Sequence, residues 1–190
     1  MEFSKKTREL SIKKMQERTL DLLIIGGGIT GAGVALQAAA SGLETGLIEM
    51  QDFAEGTSSR STKLVHGGLR YLKQFDVEVV SDTVSERAVV QQIAPHIPKP
   101  DPMLLPVYDE DGATFSLFRL KVAMDLYDLL AGVNNTPAAN KVLSKEEVLE
   151  REPELKKEGL VGGGVYLDFR NNDARLVIEN IKRANQDGAL

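Results

Sequence analysis

His66, Gly67, Gly68, Arg70 and Tyr71 collect the parts of a reacting centre within six consecutive positions. An imidazole can take up or release a proton near neutral pH. Two adjacent glycines leave flat backbone against which a planar ring can lie. The Arg70 guanidinium is a planar fork that matches phosphate or carboxylate oxygens. A lone histidine is more often a structural hydrogen-bonding residue, but these neighbours tip His66 towards function. Just upstream, Thr57, Ser58, Ser59 and Ser61 make a hydroxyl-rich run. Such a run can hold phosphates and the edge of a ring system, or serve as an ordinary loop that caps a helix.

A second constellation is Gly26-x-Gly28-x-x-Gly31. The first glycine permits a tight turn, the second lets backbone approach a pyrophosphate, and the third lets a helix lie close to the preceding strand. The orphan N–H groups of that helix's first turn then face negative phosphates. Glu49 follows about 20 residues later, where a carboxylate accepts hydrogen bonds from ribose hydroxyls. An acid there favours a free 2′-hydroxyl, hence FAD or NAD before NADP.

The turn needs a strand before it and a helix after it. The apolar run after Asp21 predicts a strand buried on both faces. Ala32–Ala40, alanine-rich and free of proline, predicts a close-packed helix ended by Gly42, and Glu44–Ile48 a second, parallel strand. The hydroxyl-rich run follows that strand directly, so it emerges at the sheet edge where open α/β folds bind ligands.

Whole-chain properties narrow the class. The 190 residues are 42% apolar and 27% charged, ordinary for a globular protein with a buried core. A net charge of −5 argues against a general nucleic-acid binder. Without cysteine there is no disulfide, thiolate metal site or Cys nucleophile. No metal site is expected: Asp109-Glu110-Asp111-Gly112 reads as a turn whose spacing does not match a calcium loop. Met1–Thr19 lacks the apolar segment of a secretory signal, and Leu20–Leu43 is broken by glycines, so no transmembrane segment is expected and the default location is cytoplasmic. The six Lys/Arg of Met1–Arg18 allow peripheral contact with an anionic membrane, although the thin apolar face favours a solvated helix.

Gly-Thr-Ser-Ser-Arg-Ser-Thr-Lys-Leu-Val-His-Gly-Gly-Leu-Arg-Tyr-Leu, residues 56–72, resembles the signature of the FAD-dependent glycerol-3-phosphate dehydrogenases and oxidases. The long N-terminal lead and Ile48–Gly56 resemble the oxidase branch. This likeness runs over essentially the whole chain and is far more specific than the glycine spacing. It implies a Rossmann-like FAD-binding α/β domain of the glutathione-reductase/D-amino-acid-oxidase type, with part of a substrate or cap region. The implied reaction is oxidation of sn-glycerol 3-phosphate to dihydroxyacetone phosphate, with O2 reduced to hydrogen peroxide or, in dehydrogenases, a quinone reduced instead. By resemblance Gly26, Gly27, Gly28, Thr30 and Gly31 hold pyrophosphate, and Glu49 and Met50 attend the ribose end. Thr57, Ser58, Ser59, Ser61, Lys63, Leu64, His66 and Gly67 line the flavin side. His66, Arg70 and Tyr71 are the catalytic expectations, His66 for proton transfer and the other two for substrate. A nicotinamide-dependent dehydrogenase, which shares the glycine turn but gives no reason for Gly56–Leu72, a different flavin amine or amino-acid oxidase, and a non-catalytic fragment are the rival readings; a homo-oligomer is compatible with all of them.

The rest predicts supporting elements. Met1–Arg18 reads as a helix, Asp76–Ala94 as an amphipathic helix ended by Pro95, and Met103–Tyr108 as an edge strand carrying Pro106. His96 sits among prolines in a rigid loop. Thr114–Ala131 reads as a helix with Phe115, Leu117, Phe118, Met124, Leu126 and Tyr127 in the core. A Ser144/Glu147 capping box starts a short helix, Gly162–Phe169 a strand, and Asp173 caps a helix to about Gln186. The expected division is a helical lead 1–19, a first part of the FAD domain 20–95, a cap segment 96–160, and a return 161–190. Asn185–Leu190 repeats the helix-end, strand-start pattern of Ala40–Leu43, so the chain is expected to be an N-terminal fragment.

Overall fold

The computed structural model describes residues 3–110 and 115–190. In chain order its elements are α1 (Arg8–Glu17), β1 (Leu22–Ile25), α2 (Ile29–Ala40), β2 (Thr45–Ile48), β3 (Leu64–Val65), α3 (Val77–Ile93), β4 (Lys99–Tyr108), α4 (Leu117–Leu130), β5 (Lys141–Leu143), α5 (Lys145–Arg151), β6 (Leu160–Arg170) and α6 (Asp173–Gln186). Short 3-10 turns occupy Lys5–Thr7, Thr57–Ser59 and Leu69–Gln74. Two compact units result, Met1–Lys63 with Asn171–Leu190, and Leu64–Arg170. The observed edges fall at 63/64 and 170/171, where 95/96 and 160/161 were expected. The difference arises because α3 and the Leu69–Gln74 turn pack on α4, and β6 pairs with β3, β4 and β5.

In the first unit β1 and β2 run parallel, from Leu22 beside Thr45 to Ile25 beside Ile48. Small residues let α2 and α6 approach closely: Ala32 packs with Val177 and Ile181, while Ala35 and Ala39 pack with Ala184. The expected strand buried on both faces is corrected here. Ile24 faces the helices and is buried, whereas Leu23 and Ile25 alternate to the other face and are exposed, Ile25 to 82%. On that face Met15 and Leu20 lie over Gly46, which is paired with Leu23. The Leu190 N–H donates to Thr45 O (3.0 Å) and its carbonyl accepts from Leu47 N–H (2.9 Å), the alternation of a parallel partner on β2's outer edge.

In the second unit β6 is central: β4 follows one edge along its length, and β3 and β5 take the other. β4 starts at Lys99, earlier than expected, because Pro100, Pro102 and Pro106 share one parity. Their missing N–H groups all fall on the strand's free side. Leu69, Leu72, Val80, Val84, Leu120, Met124 and Tyr127 form the core. Phe118, expected inside, is exposed because it lies on the α4 face opposite Leu120, Met124 and Tyr127. Leu117 and Leu126 are half-buried. Ser144 and Glu147 make the reciprocal capping box at α5. At α6 the cap is Asn172, whose side chain accepts from Arg175 N–H; Asp173, the expected cap, is the first helical residue. Of the expected Asp109–Gly112 turn, only Asp109 and Glu110 lie among the described residues, and Thr114 also falls outside them. No helix among the described residues is long and apolar enough to cross a membrane.

Candidate functional site

The glycine spacing folds as a strand–turn–helix. Gly26 adopts φ +113° and donates its N–H to Ile48 O at 2.8 Å, which bends the chain out of β1 while holding it to β2. A Cβ on Gly31 would stand 1.9 Å from the Gly26 carbonyl oxygen, so that position excludes every side chain. Gly28 is the extended N-cap of α2 and supplies no side-chain cap. Ser58 supplies one from elsewhere: its Oγ accepts the Ile29 N–H at 2.9 Å. Among the described residues nothing accepts from the Thr30 and Gly31 N–H groups, and a helix N-terminus with open donors is the kind of place that favours an anion.

Glu49 closes β2 beside this turn. One carboxylate oxygen accepts the Gly27 N–H at 2.7 Å and the other the Gln51 N–H at 3.0 Å. These backbone donors, Gly27's foremost, hold the carboxyl below its ordinary value. Each oxygen keeps a further lone pair, so the acid remains an acceptor for hydroxyls. Met50, just beyond, is 93% exposed. Phe53, which the sequence reading did not single out, places its ring 2.4 Å from where a Gly27 Cβ would stand. The next residue, Ala54, donates its N–H to Gly27 O at 2.9 Å. A cavity of about 690 Å³ in this unit is lined by Met15, Leu47, Phe53, Ile181 and Leu190; it includes Glu49 but none of the three motif glycines.

The hydroxyl-rich run divides in role. Ser58 reaches the glycine turn, and Thr57 and Ser59 sit in the same 3-10 turn. Ser61 instead hydrogen-bonds the Asp173 carboxylate, and the Lys63 ammonium turns back onto Ser59 O. Leu64 lies in β3 opposite Arg170.

In the second unit His66 is exposed and stands directly before buried Gly67 and Gly68. Gly68 adopts φ +74°, and a Cβ there would meet the Tyr71 ring at 2.7 Å. The exposed Arg70 places its guanidinium 5.2 Å from the centroid of the Tyr71 ring. The Gly67 N–H is shared between Tyr127 OH (3.1 Å) and Asp168 Oδ1 (3.3 Å). Arg87 Nη1 donates to the same two oxygens, at 2.5 Å and 3.0 Å. Arg87 is 4% exposed and Asp168 2%. Burial, with Asp168 adding to it, raises the Tyr127 phenol and pushes that of Tyr166 up to about 12. The sequence reading missed this network, although a signal was present. Arg87 falls on the buried side of α3 in register with Val80 and Val84, and Asp168 interrupts an apolar strand.

A glycine turn between a parallel strand and a helix, with an acid ending the next strand, defines a dinucleotide-binding α/β unit. Residues 21–190 match the FAD dependent oxidoreductase family, and the chain belongs to it. Over 190 residues it is 97% identical to Alpha-glycerophosphate oxidase of Streptococcus pneumoniae serotype 4, and over 189 residues 75% identical to that of Enterococcus casseliflavus. The chain spans 31% of the length of each of these relatives. The structure of glycerol-3-phosphate dehydrogenase from Bacillus halodurans, complexed with FAD, superimposes with a TM-score of 0.69 at 42% identity, covering 99% of this chain and 29% of that one. L-alpha-Glycerophosphate Oxidase from Mycoplasma pneumoniae, 18% identical with a TM-score of 0.62 over 90% of this chain and 44% of that one, shares the fold.

Proposed function

We propose that this chain is the FAD-binding portion of an oxidase that converts sn-glycerol 3-phosphate to dihydroxyacetone phosphate. The observation that carries the reading is the 97% identity across all 190 residues, because geometry alone specifies a dinucleotide and no substrate. The residues fit the cofactor: two unpartnered N–H groups at a helix N-terminus, a turn closed to any Cβ at Gly31, and an acid with free lone pairs. Gly26, Gly27, Gly28, Thr30 and Gly31 would hold the pyrophosphate, and Glu49 and Met50 the ribose end. Ser58, with Thr57 and Ser59 beside it, would extend that cradle. Ser61 and Lys63 would support it from the adjoining loop, since their side chains are engaged in internal bonds, while Leu64 belongs to the second unit, paired with Arg170.

When bound, FAD would supply the two-electron chemistry, as hydride acceptor for substrate C2 and as electron donor to O2, which is reduced to hydrogen peroxide. The chain's part is to bind, orient and move a proton. By the resemblance, His66 Nδ1 or Nε2 would take the proton of the substrate's C2 hydroxyl. Arg70, unpaired with any carboxylate among the described residues, suits the substrate's phosphate, and Tyr71 fixes the turn from beneath Gly68.

The test is peroxide production from glycerol 3-phosphate under air, using the full-length pneumococcal relative carrying this segment. One peroxide per substrate oxidised is the expected result. Turnover only with an added quinone analogue would favour the dehydrogenase reading that the 42% identical structure suggests. No flavin absorption in the purified protein after adding FAD would overturn both.

A further inference from the structure

We propose that Arg87, Asp168, Tyr127 and Thr83 are positioning residues that clamp the backbone of Gly67, and so fix His66 and the Gly68 turn for the reaction. The proposal rests on the reading of His66–Tyr71 given above. Its basis is that both backbone polar groups of one residue, Gly67, are held by side chains from three elements distant in sequence. The Gly67 N–H faces Tyr127 of α4 and Asp168 of β6. The Gly67 carbonyl lies 2.9 Å from Thr83 Oγ1 of α3.

The rest of the pocket is built around those contacts. Asp168 Oδ1 also accepts the Phe169 N–H at 3.0 Å, so the acid's position is set by its own strand. Arg87 neutralises it and is gripped between the rings of Tyr127 (5.4 Å) and Phe169 (4.5 Å). A Cβ on Gly67 would stand 2.2 Å from Tyr127 OH and 2.5 Å from Val84 Cγ1, so only glycine brings its peptide against these groups. Burying an arginine and an aspartate costs more than an apolar pair of the same volume. A core that needed only stability had cheaper solutions than charged groups converging on one loop amide. Thr83 is the weaker contact, because its single proton is also within reach of Val79 O at 2.8 Å.

The test uses Tyr127→Phe and Thr83→Val, both close in shape to the parent residue. In this chain, NMR hydrogen exchange reads the Gly67 amide; loss of one net hydrogen bond corresponds to about tenfold faster exchange for Tyr127→Phe. Thr83→Val should give roughly threefold, the smaller effect of a shared donor. In the full-length pneumococcal relative carrying the same changes, kcat should fall about tenfold for Tyr127→Phe, while the FAD Kd and the KM for glycerol 3-phosphate stay within about threefold. Unchanged Gly67 exchange in both variants overturns the clamp. Faster exchange with unchanged kcat overturns the positioning role and leaves a structural one. A parent enzyme with no FAD binding or glycerol 3-phosphate turnover sinks the underlying functional reading instead, and the exchange measurement still decides whether Gly67 is held.

Discussion

Gly31→Ala is the sharpest perturbation of the dinucleotide turn. The added methyl would sit 1.9 Å from the Gly26 carbonyl oxygen, 3.1 Å from its carbon and 3.3 Å from Ile24 Cγ2. An ordinary carbon–oxygen contact is about 3.3 Å, so helix and turn must part by roughly 1.4 Å. Overpacking costs about 1–3 kcal/mol, and a clash with backbone belongs at the upper end because no rotamer can relieve it. If about 3 kcal/mol falls on the binding-competent turn, FAD affinity drops about a hundredfold. Flavin fluorescence titration of the full-length relative reads that change. Gly33→Ala is the matched control: it lies two residues on in α2, with nothing within 4 Å of the new methyl. There the substitution should stabilise the helix by about 0.5–1 kcal/mol and leave FAD binding alone. A folded Gly31→Ala protein that binds FAD within about threefold of the parent would refute the turn's assignment.

Removing one partner of the buried pair by Arg87→Met leaves the Asp168 carboxylate uncompensated and should cost about 3–5 kcal/mol in urea unfolding. Lys13→Ala breaks the Lys13–Glu17 pair, exposed on both sides, and should cost less than about 0.5 kcal/mol; equal losses would contradict the burial argument. Glu49 is held below its ordinary value of 4.5 in the folded chain, so its contribution to stability is present above that value and lost as pH falls through the folded-state one. Glu49→Gln should therefore flatten the acid limb of the stability–pH curve, and superimposable limbs would show that the Gly27 and Gln51 N–H groups do not act on it.

Periodicity and turn chemistry carried much of the fold because they are local. Gly26–Gly31, the alanine helix, the Ser144/Glu147 box and α6's buried Val177, Ile181 and Ala184 each leave a pattern within one stretch of chain. What was not local was misread. Apolarity of Leu22–Ile25 says nothing about how many layers cover the strand, so Leu23 and Ile25 were assigned to an interior they do not share. The three prolines of β4 look like strand breakers until β6 is known to pair on one side only. Phe118 followed the aromatic character of its neighbours, although it lies on the opposite face of the same helix. The seventeen residues from Gly56 to Leu72 were legible as a resemblance, yet nothing in their composition says which hydroxyls face the turn. Ser58 does; Ser61 is turned to Asp173.

Both units fix a loop backbone by the same physical means. In the first, Glu49 takes the Gly27 N–H, Ala54 donates to the Gly27 carbonyl, and the Phe53 ring fills the space a Cβ would need. In the second, Tyr127 and Asp168 take the Gly67 N–H, Thr83 meets its carbonyl, and Val84 and Tyr127 fill the corresponding space. A glycine residue has no side chain to anchor its backbone, and conformational freedom there costs affinity and orientation each time a ligand must order it. Holding both of its polar groups before the ligand arrives removes that cost. The groups that do so are spread over sequence separations of up to about a hundred residues, which is why neither clamp shows in any window of the sequence, and why substitutions far from the glycines should be felt at them.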